Sequence, residues 1–564
     1  MRAPTTIITV ATAGHVDHGK SALVRAMTGI EPDRLAEERR RGLTIDLGFA
    51  HHVTPTGETL SFIDVPGHGD FIHTMIAGVA AVDVVVLVVD AAEGVMPQTR
   101  EHLEILRLLE VNDIVVALTR CDLVDGGRLD EVAQQVAAWC ESAGVRTTPP
   151  LRTSAVTGEG LAALADLLGA VGSRSGGGRR VTERLRLHVD RAFTIDGAGT
   201  VVTGTLEGDR VAVGDELVIA RTGQPVRIRS VQTHGAPVGE GEPGTRCALN
   251  LVGASLGDLE RADSLVRPDE WELTDVFDAR LSGVDPRRAR GLLLHVGTGR
   301  HAVTIAPVGS THGLSDTARL RVGARLALVP GDRFILRSTG DDTTVGGGVV
   351  LDIAPTTRPS RSRPDGSVES VLAGHGWLDV DRATRLVGRR VEPVVGRHVA
   401  AAGVVDATRR SLLGELADGP IDLTGRPEHD VALVRALDGV TVEHGIARLG
   451  SREPVLDHPC VAVVLAGGVC PEPPAGVDRA VIARLTRLGV FVEHDAMVFH
   501  VDALEATRPV LEGLWGAHPD GFTVSDLRVA LGITRKHAVP LAVCLDKLGF
   551  TRRVGDRRVR GHRS

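Results

Sequence analysis

Residues 14–21 read GHVDHGKS and match the phosphate-loop pattern G-x-x-x-x-G-K-[ST] at every position. A β-branched apolar run at 5–11 precedes them, and apolar residues at helical spacing follow. Backbone N–H groups of such a loop and of the helix N-terminus can surround phosphate oxygens. Lys20 would neutralise the β- and γ-phosphates, and Ser21 would bind Mg²⁺. The alternative interpretation of the motif is a chance glycine-rich turn. The predicted nucleotide contacts are His15, Val16, Asp17, His18, Gly19, Lys20, Ser21 and Ala22.

Strand-like and helical patterns alternate from this loop to about residue 170. Nearly uninterrupted apolar runs at 60–65, 84–89 and 114–118 are typical of strands that are covered on both faces. Helical spacing lies between them at 101–109 and 129–138. This alternation predicts a doubly wound, parallel α/β domain over residues 1–172. The stretch GAVGSRSGGGRR at 169–180 is interpreted as a flexible linker that closes it.

A second phosphate-side loop follows the strand at 60–65. The sequence Asp-Val-Pro-Gly at 64–67 would place Asp64 near Mg²⁺, through a water molecule, and the Gly67 N–H near the γ-phosphate. Alone, D-x-x-G is a weak signal that also describes ordinary strand-end turns. Downstream of a phosphate loop it favours a nucleotide site.

The strand at 114–118 ends in Thr119-Arg120-Cys121-Asp122. A carboxylate at Asp122 can accept hydrogen bonds from the N1–H and the exocyclic amine of guanine, which adenine lacks. Because unpaired donors are costly, Asp122 is the predicted specificity residue for GTP. Thr119 and Arg120 complete this side of the base site, and backbone N–H groups of Ser154, Ala155 and Val156 would bind guanine O6.

The remaining chain is organised differently. Short strands interrupted by Gly, Asp and Pro predict two antiparallel β-barrels, at 181–267 and 270–355. A second Pro-, Ser- and Arg-rich linker covers 355–366, and short helices with β ends fill 364–564. The predicted fold class is therefore multidomain: an α/β P-loop domain, two antiparallel β-barrels and a C-terminal extension of helical modules.

Composition excludes several classes of protein. With 43% hydrophobic and 24% charged residues, the 564-residue chain is neither disordered nor a small disulfide scaffold. The six cysteines have no C-x-x-C spacing, which argues against a zinc knuckle and favours a reducing cytosol. The N-terminus lacks a signal-peptide pattern and no apolar run can span a bilayer, so we expect a cytoplasmic protein.

The last module, about 510–564, carries the strongest charge asymmetry. Residues 521–564 hold ten basic and three acidic residues, a local charge of +7 in a chain of net charge −8. Helix, turn, helix and a two-stranded wing whose tip is Gly555-Asp556 predict a winged-helix nucleic-acid reader. The alternative is a solvated basic face. The candidate RNA contacts are Arg535, Lys536, Arg552, Arg553, Arg557 and Arg558.

The motifs GHVDHGKS, RGLTID, DVPGH, TRCD and SAV together resemble the translational GTPases of the elongation factor Tu group. RGLTIDLGFA and the rest of the chain resemble the family of selenocysteine-specific elongation factors, which implies that residues 364–564 form a C-terminal extension of tandem winged-helix modules. The resemblance implies that Thr44 binds Mg²⁺ in the GTP state and that His68 positions the attacking water, with Val16 and Leu43 as an apolar gate. The alternative to a catalytic role for His68 is an ordinary histidine in a surface turn. In the guanine motif, which usually reads N-K-x-D in this family, Thr119 and Arg120 replace the Asn and the Lys, whereas Asp122 is retained. This departure leaves the affinity for the nucleotide open.

The resemblance also implies the partners. Asp190, Arg191 and Arg246 would line a pocket for the aminoacyl group of selenocysteinyl-tRNA, although a surface Asp–Arg pair is the alternative. A cationic pocket would favour the anionic selenol over Ser or Cys. The terminal module would bind an mRNA hairpin, the selenocysteine insertion element, and the protein would act on the ribosome as a monomer.

Three functions remain open at this stage. The first is a ribosome-stimulated GTPase that delivers selenocysteinyl-tRNA at UGA codons. The second is another carrier GTPase of the same superfamily, and the third is a winged-helix regulator that uses a phosphate loop as a switch.

Overall fold

The computed structural model describes residues 7–32, 38, 40, 43–79, 82–174, 182–197, 199–309, 316–449 and 454–562, with only the backbone at 454. The chain divides into two compact units, Met1–Val405 and Asp406–Ser564. No helix in the described ranges is both long and apolar enough to cross a membrane.

The first domain is a six-stranded sheet with helices on both faces. Its strands are β1 (Ile7–Ala13), β2 (Gly48–Val53), β3 (Thr59–Asp64), β4 (Val84–Asp90), β5 (Ile114–Thr119) and β6 (Leu151–Arg152). Its helices are α1 (Lys20–Thr28), α2 (Ile72–Val79), α3 (Pro97–Leu108), α4 (Gly126–Ser142) and α5 (Leu161–Arg174). The strand order is β2-β3-β1-β4-β5-β6, and β2 alone pairs antiparallel. The predicted doubly wound α/β fold is confirmed, with an antiparallel edge strand that was not predicted.

Burial explains why the strand runs are so apolar. Every residue of β4 is buried, because Met75, Leu103 and Val132 cover one face of the sheet while Leu23 and Leu168 cover the other. Each such aliphatic side chain contributes roughly 1.5–3 kcal/mol.

The predicted linker at 169–180 is wrong in its first half. The structure continues α5 to Arg174, and 175–180 lie outside the described residues. Gly172 has a packing role, because a Cβ there would lie 2.3 Å from Cγ2 of Ile8 on β1. The glycine therefore lets the helix approach the sheet instead of ending it.

Two antiparallel barrels follow, as predicted. The strands of the first are β7 (Arg186–His188), β8 (Arg191–Ile195), β9 (Gly199–Glu207), β10 (Val211–Ala212), β11 (Glu216–Ile219), β12 (Pro225–Thr233), β13 (Ala236–Val238), β14 (Glu240–Gly241), β15 (Arg246–Val252) and β16 (Ser264–Val266). Pairing between β11 and β12 closes the path β11-β16-β7-β9-β15-β12. The second barrel is closed in the order β17-β20-β19-β18-β21-β22. Its strands are β17 (Leu273–Ser282), β18 (Leu292–Val296), β19 (Gly299–Pro307), β20 (Thr317–Ala327), β21 (Arg333–Ser338) and β22 (Thr344–Asp352).

The first helical module packs on the second barrel. It contains α6 (Val368–Ala373), β23 (Leu378–Asp379), α7 (Val380–Val387) and β24 (His398–Val399). Val371 and Leu386 share a core with Phe277 and Phe334 of the barrel. The predicted linker at 355–366 has no helix or strand, yet Ser362 donates a 2.9 Å hydrogen bond to Asp278 of β17, so it lies against the barrel.

Helix α8 (Ala402–Asp418) contains the boundary between the two units. Its successors in the second unit are β25 (Ile421–Asp422), α9 (Glu428–Arg435), β26 (Val440–Glu443), β27 (Ile446–Leu449), α10 (Pro459–Ala466), α11 (Arg479–Arg487), β28 (Phe491–His494), β29 (Met497–His500), α12 (Val501–Glu505), α13 (Arg508–Ala517), β30 (Phe522–Thr523), α14 (Val524–Leu531), α15 (Arg535–Lys547), β31 (Thr551–Val554) and β32 (Arg557–Arg560). The last three strands pair as β30-β32-β31 beside α14 and α15, which is the predicted winged helix.

Candidate functional site

The loop between β1 and α1 has a backbone that only certain residues tolerate. Gly14 has φ 133°, and a Cβ there would lie 2.2 Å from the Val88 carbonyl oxygen. Gly19 has φ 83°, and Asp17, which is exposed, has φ 61°. Lys20 is buried, and its Nζ donates to the carbonyl of His15 at 2.7 Å and to that of Gly14 at 3.1 Å. The loop therefore curves around the ammonium group.

Two side chains of α3 hold this loop, and sequence reasoning missed both. Gln98 Oε1 accepts from the Val16 N–H at 2.9 Å, and His102 Nδ1 accepts from the Gly14 N–H at 3.0 Å. Burial, and then the charge of Lys20, lowers the pKa of His102 to about 3. His102 is therefore neutral at pH 7 and able to accept.

The ring of His18 faces the protein interior. Its Nδ1 accepts from the Asp90 N–H at 3.2 Å, so Nε2 carries the proton toward Glu93 Oε2, also at 3.2 Å. Burial is the main cause that lowers the pKa of His18. Only the backbone of His18 is thus placed to contact a nucleotide.

Two of the three predicted magnesium ligands meet at the start of α1, and the third lies at the end of β3. Ser21 Oγ and Thr44 Oγ1 lie 2.9 Å apart. Asp64 is fully buried at the end of β3 and accepts from the Thr12 hydroxyl at 2.7 Å. Hydroxyl and carboxylate oxygens are the ligands that Mg²⁺ prefers, so this donor set fits the ion.

Gly67 lies directly against the phosphate loop. A Cβ at this position would be 2.4 Å from Lys20 Nζ and 2.6 Å from the Val16 nitrogen. Any side chain would push the two loops apart. The D-V-P-G loop therefore lies in contact with the phosphate loop.

His68 follows at the surface end of this loop. Its side chain is 44% exposed, and its Nδ1 accepts from the Asp70 N–H at 3.3 Å. Nδ1 also lies 3.5 Å from Asp70 Oδ2, so this nitrogen is engaged within the loop and Nε2 is the one available to a water molecule. The predicted gate residues Val16 and Leu43 are both half-buried.

The base-recognition loops lie side by side. The Cys121 N–H donates to the Thr153 carbonyl at 3.3 Å, which joins the turn holding exposed Asp122 to the segment 153–156. Buried Ser154 accepts from the Val156 N–H at 3.2 Å, while Ala155 is half-buried and Val156 is exposed.

The two unusual residues of this motif have defined partners. Thr119 Oγ1 donates to the His18 carbonyl at 2.7 Å, as predicted for a hydrogen bond to the loop. Arg120, with φ 55°, donates to the buried Asp90 carboxylate at 2.5 Å. The guanidinium is thereby committed to an ion pair, and only the stem is available beside a base.

The aminoacyl candidates Asp190 and Arg246 form one cluster. Arg246 donates through Nε and Nη2 to the two Asp190 oxygens, each at 2.8 Å, and Nη2 also reaches the Thr203 hydroxyl. Its guanidinium lies 3.6 Å from the ring centroid of Phe49. A bidentate pair on an aromatic ring fixes the arginine firmly.

Arg191 points elsewhere, toward the first domain. It donates to the Leu47 carbonyl at 2.9 Å, and its Nε lies 2.8 Å from Asp46 Oδ2. Both arginines therefore have a carboxylate partner, so the positive charge of the expected cationic pocket is partly neutralised.

Arg246 borders a cleft of about 360 Å³ between the first domain and the first barrel. We call it the aminoacyl cleft. It is lined also by Phe49, Phe193, His51 and His234. The two histidine rings stack at 4.7 Å, and burial, followed by the effect of His51, lowers the pKa of His234. The cleft thus combines aromatic walls with one guanidinium.

Five of the six candidate RNA contacts are exposed. Arg535 and Lys536 begin α15, and Arg552, Arg553 and Arg557 lie on the wing strands. Arg558 is a correction, because it is only 3% exposed and its guanidinium bonds the Asp546 carboxylate at 3.1 Å. It stabilises the module from inside and is not placed to bind RNA.

Family models match three parts of the chain. The elongation factor Tu GTP binding domain matches residues 5–172, the selenocysteine-specific elongation factor beta-barrel domain matches 288–357, and the winged helix of elongation factor SelB matches 515–560.

Similar proteins and structures carry related names. A selenocysteine-specific elongation factor of Desulfomicrobium baculatum is 30% identical over 98% of this chain and 99% of that protein. The one of Escherichia coli (strain K12) is 37% identical over 62% of this chain and 56% of that protein. The crystal structure of a bacterial selenocysteine-specific elongation factor, 24% identical, covers 99% of this chain with a TM-score of 0.66 and shares its fold.

Proposed function

Because the chain belongs to the family of selenocysteine-specific elongation factors, we propose that it uses GTP to deliver selenocysteinyl-tRNA to the ribosome at UGA codons marked by an mRNA hairpin. One observation carries the proposal: a guanine-nucleotide fold and an exposed basic winged helix lie on a single chain. A translation factor works where ribosomes are, so the proposed location is the cytoplasm. A regulator of duplex DNA is not favoured.

Guanine specificity is assigned to Asp122. Its exposed carboxylate would accept from N1–H and the exocyclic amine. Of the predicted N–H groups at 154–156, that of Ala155 would face O6, because the Ser154 N–H donates to the Glu159 carbonyl and the Val156 N–H to the Ser154 hydroxyl. Thr119 braces the phosphate loop, and the Arg120 stem covers the base while its charge is held by Asp90.

Ser21, Thr44 and Asp64 are proposed to hold Mg²⁺, with Asp64 acting through water. The bound ion would neutralise charge on the β- and γ-phosphates. Lys20 and the backbone of 15–22, apart from the Val16 N–H that donates to Gln98, would hold the same phosphates.

His68 is the proposed catalytic residue for hydrolysis. With Nδ1 engaged by Asp70, Nε2 can hold the attacking water in line with the γ-phosphorus. We propose that this half-exposed side chain moves toward the phosphates, past Val16 and Leu43, when the ribosome binds.

The aminoacyl end is proposed to lie in the aminoacyl cleft. A selenol ionises more readily than a serine hydroxyl or a thiol, so a guanidinium favours selenocysteine through its charged form. Arg246 supplies that group, since its Nη1 is not used in the bonds to Asp190 and Thr203. Asp190 orients Arg246, and Arg191 joins the barrel to residues 46–47.

The proposal is tested by GTP-dependent protection of the ester bond in selenocysteinyl-, seryl- and cysteinyl-tRNA. We expect protection of the first only, with GTP and not with GDP. Equal protection of all three would overturn the selenium-specific function and leave the GTPase intact. No guanine nucleotide binding in the presence of magnesium would overturn the whole proposal.

A further inference from the structure

Arg560, near the end of the wing, packs its guanidinium against an aromatic ring. Its guanidinium lies 4.9 Å from the ring centroid of Trp515, which belongs to α13 and is 7% exposed. Glu512, which precedes Trp515 by one turn of α13, accepts hydrogen bonds from both terminal nitrogens of Arg560, and the bond from Nη1 is 2.9 Å long. The arginine is therefore held over the ring from two directions.

The same arginine remains open to solvent. Its side chain is 56% exposed, although one side faces Trp515. An open groove of about 560 Å³ runs past it and is lined by Trp515, Gly516, Pro519 and Arg552, together with Glu512, whose carboxylate is paired with Arg560. Arg552 is exposed on β31, opposite Val559 in the wing ladder. A planar cation and a separate positive charge thus share one groove.

We infer that Arg560, on its support of Trp515 and Glu512, is a stacking platform for one splayed nucleobase of RNA, with Arg552 binding the adjoining phosphate. A guanidinium plane stacks on any base face, and unstacked loop bases are the usual targets of RNA-binding proteins. The chain has no Tyr and only 14 Phe and Trp residues, so an arginine fixed on a tryptophan replaces an exposed aromatic side chain. The inference rests on the proposed hairpin binding and adds the site of one base.

A matched arrangement in the same unit provides the control. Arg508 lies 4.6 Å from the ring centroid of Phe550 and donates to Glu505 at 2.6 Å. It does not line the groove. Arg508→Ala therefore removes an equivalent arginine–aromatic contact without touching the proposed platform.

The probe is an RNA stem-loop enriched from a pool with a randomised loop by binding to the full-length chain. Each loop nucleotide is then replaced by an abasic residue, and dissociation constants are measured for wild type, Arg560→Ala, Arg560→Lys and Arg508→Ala. We expect both Arg560 variants to weaken binding about tenfold, because stacking needs the guanidinium plane and not only its charge. At one loop position, the abasic RNA should bind wild type about tenfold more weakly and Arg560→Ala with no further loss. Arg508→Ala should bind like wild type.

Two results would overturn the platform while sparing the hairpin function. One is hairpin affinity of Arg560→Lys equal to wild type, which would reduce the residue to a point charge. The other is an abasic penalty that persists unchanged in Arg560→Ala at every position. If no stem-loop is enriched by wild type, hairpin binding itself fails and the inference falls with it.

Discussion

Arg191 Nε lies 2.8 Å from Asp46 Oδ2, and this contact joins the first barrel to the segment that contains Thr44. The same guanidinium donates to the Leu47 carbonyl. A residue predicted from the sequence to line the aminoacyl pocket therefore contacts the chain two and three residues after Thr44, a proposed magnesium ligand. We expect this contact to couple the nucleotide state at Thr44 to binding of the aminoacyl group.

Arg191→Ala should uncouple tRNA binding from the nucleotide. We expect protection of selenocysteinyl-tRNA in the GTP state to weaken about tenfold, the equivalent of one charge-assisted hydrogen bond. GDP affinity should be unchanged. Arg210→Ala is the control, since Arg210 pairs with Glu240 on the same barrel and is exposed. Protection by Arg191→Ala equal to that by Arg210→Ala would contradict the coupling.

Thr44→Ala should distinguish GTP from GDP. Loss of the hydroxyl 2.9 Å from Ser21 removes one proposed magnesium ligand of the GTP state. We expect GTP affinity, measured by calorimetry in magnesium, to fall about tenfold while GDP affinity stays within about twofold. Thr44→Ser keeps the hydroxyl and should restore GTP binding. If the Ser and Ala variants behave alike, the hydroxyl is not a ligand.

Asp122→Asn should change which base is bound. An amide offers one acceptor and one donor, so it leaves a guanine donor unpaired but matches xanthine, whose 2-position is a carbonyl. We expect GTP affinity to fall about 100-fold and xanthosine triphosphate to become the better ligand. Competition between the two nucleotides measures this directly. An unchanged preference for GTP would place the specificity elsewhere.

The sequence predicts what depends on neighbours along the chain and misses what depends on packing. The phosphate loop, the strands ending at Asp64 and Thr119, and the wing around Gly555 are local patterns, and all are present. Gln98 and His102 were missed because an ordinary helical pattern cannot show which polar side chain meets a distant loop.

The predictions for Arg558 and Gly172 failed because the sequence does not show which residues pack against them. Arg558 matches its exposed neighbours in the sequence, but alternation along β32 turns it inward to Asp546. Gly172 resembles linker composition, whereas its missing side chain serves the contact between α5 and Ile8.

The buried histidines should make the protein sensitive to acid. The pKa of His102 is lowered to about 3 and that of His188 to about 4, mainly by burial, whereas an unfolded histidine titrates near 6.5. Between those values the unfolded chain binds more protons, so stability falls as the pH falls. Each histidine should cost about 1.4 kcal/mol per pH unit below pH 6.

Melting curves of the full chain between pH 7 and 5 test this expectation. His102→Asn keeps a neutral acceptor for the Gly14 N–H and should show a shallower loss of melting temperature with acid. His52, a half-buried histidine on β2, supplies the control variant His52→Asn. An acid dependence that is equally steep in wild type and in both variants would show that His102 does not contribute to it.

Arg552 and Arg553 should contribute through charge to hairpin binding. Both are exposed on β31, and each phosphate contact releases counterions when it forms. The double variant Arg552→Ala/Arg553→Ala should weaken binding and lower the slope of log Kd against log salt by about 1.5. The matched control is Arg409→Ala/Arg410→Ala, which removes two adjacent exposed arginines from α8 of the same chain. Filter binding of the enriched stem-loop at several salt concentrations gives both slopes, and the control slope should equal that of wild type. Equal slopes for the two double variants would mean that the wing does not contact phosphate.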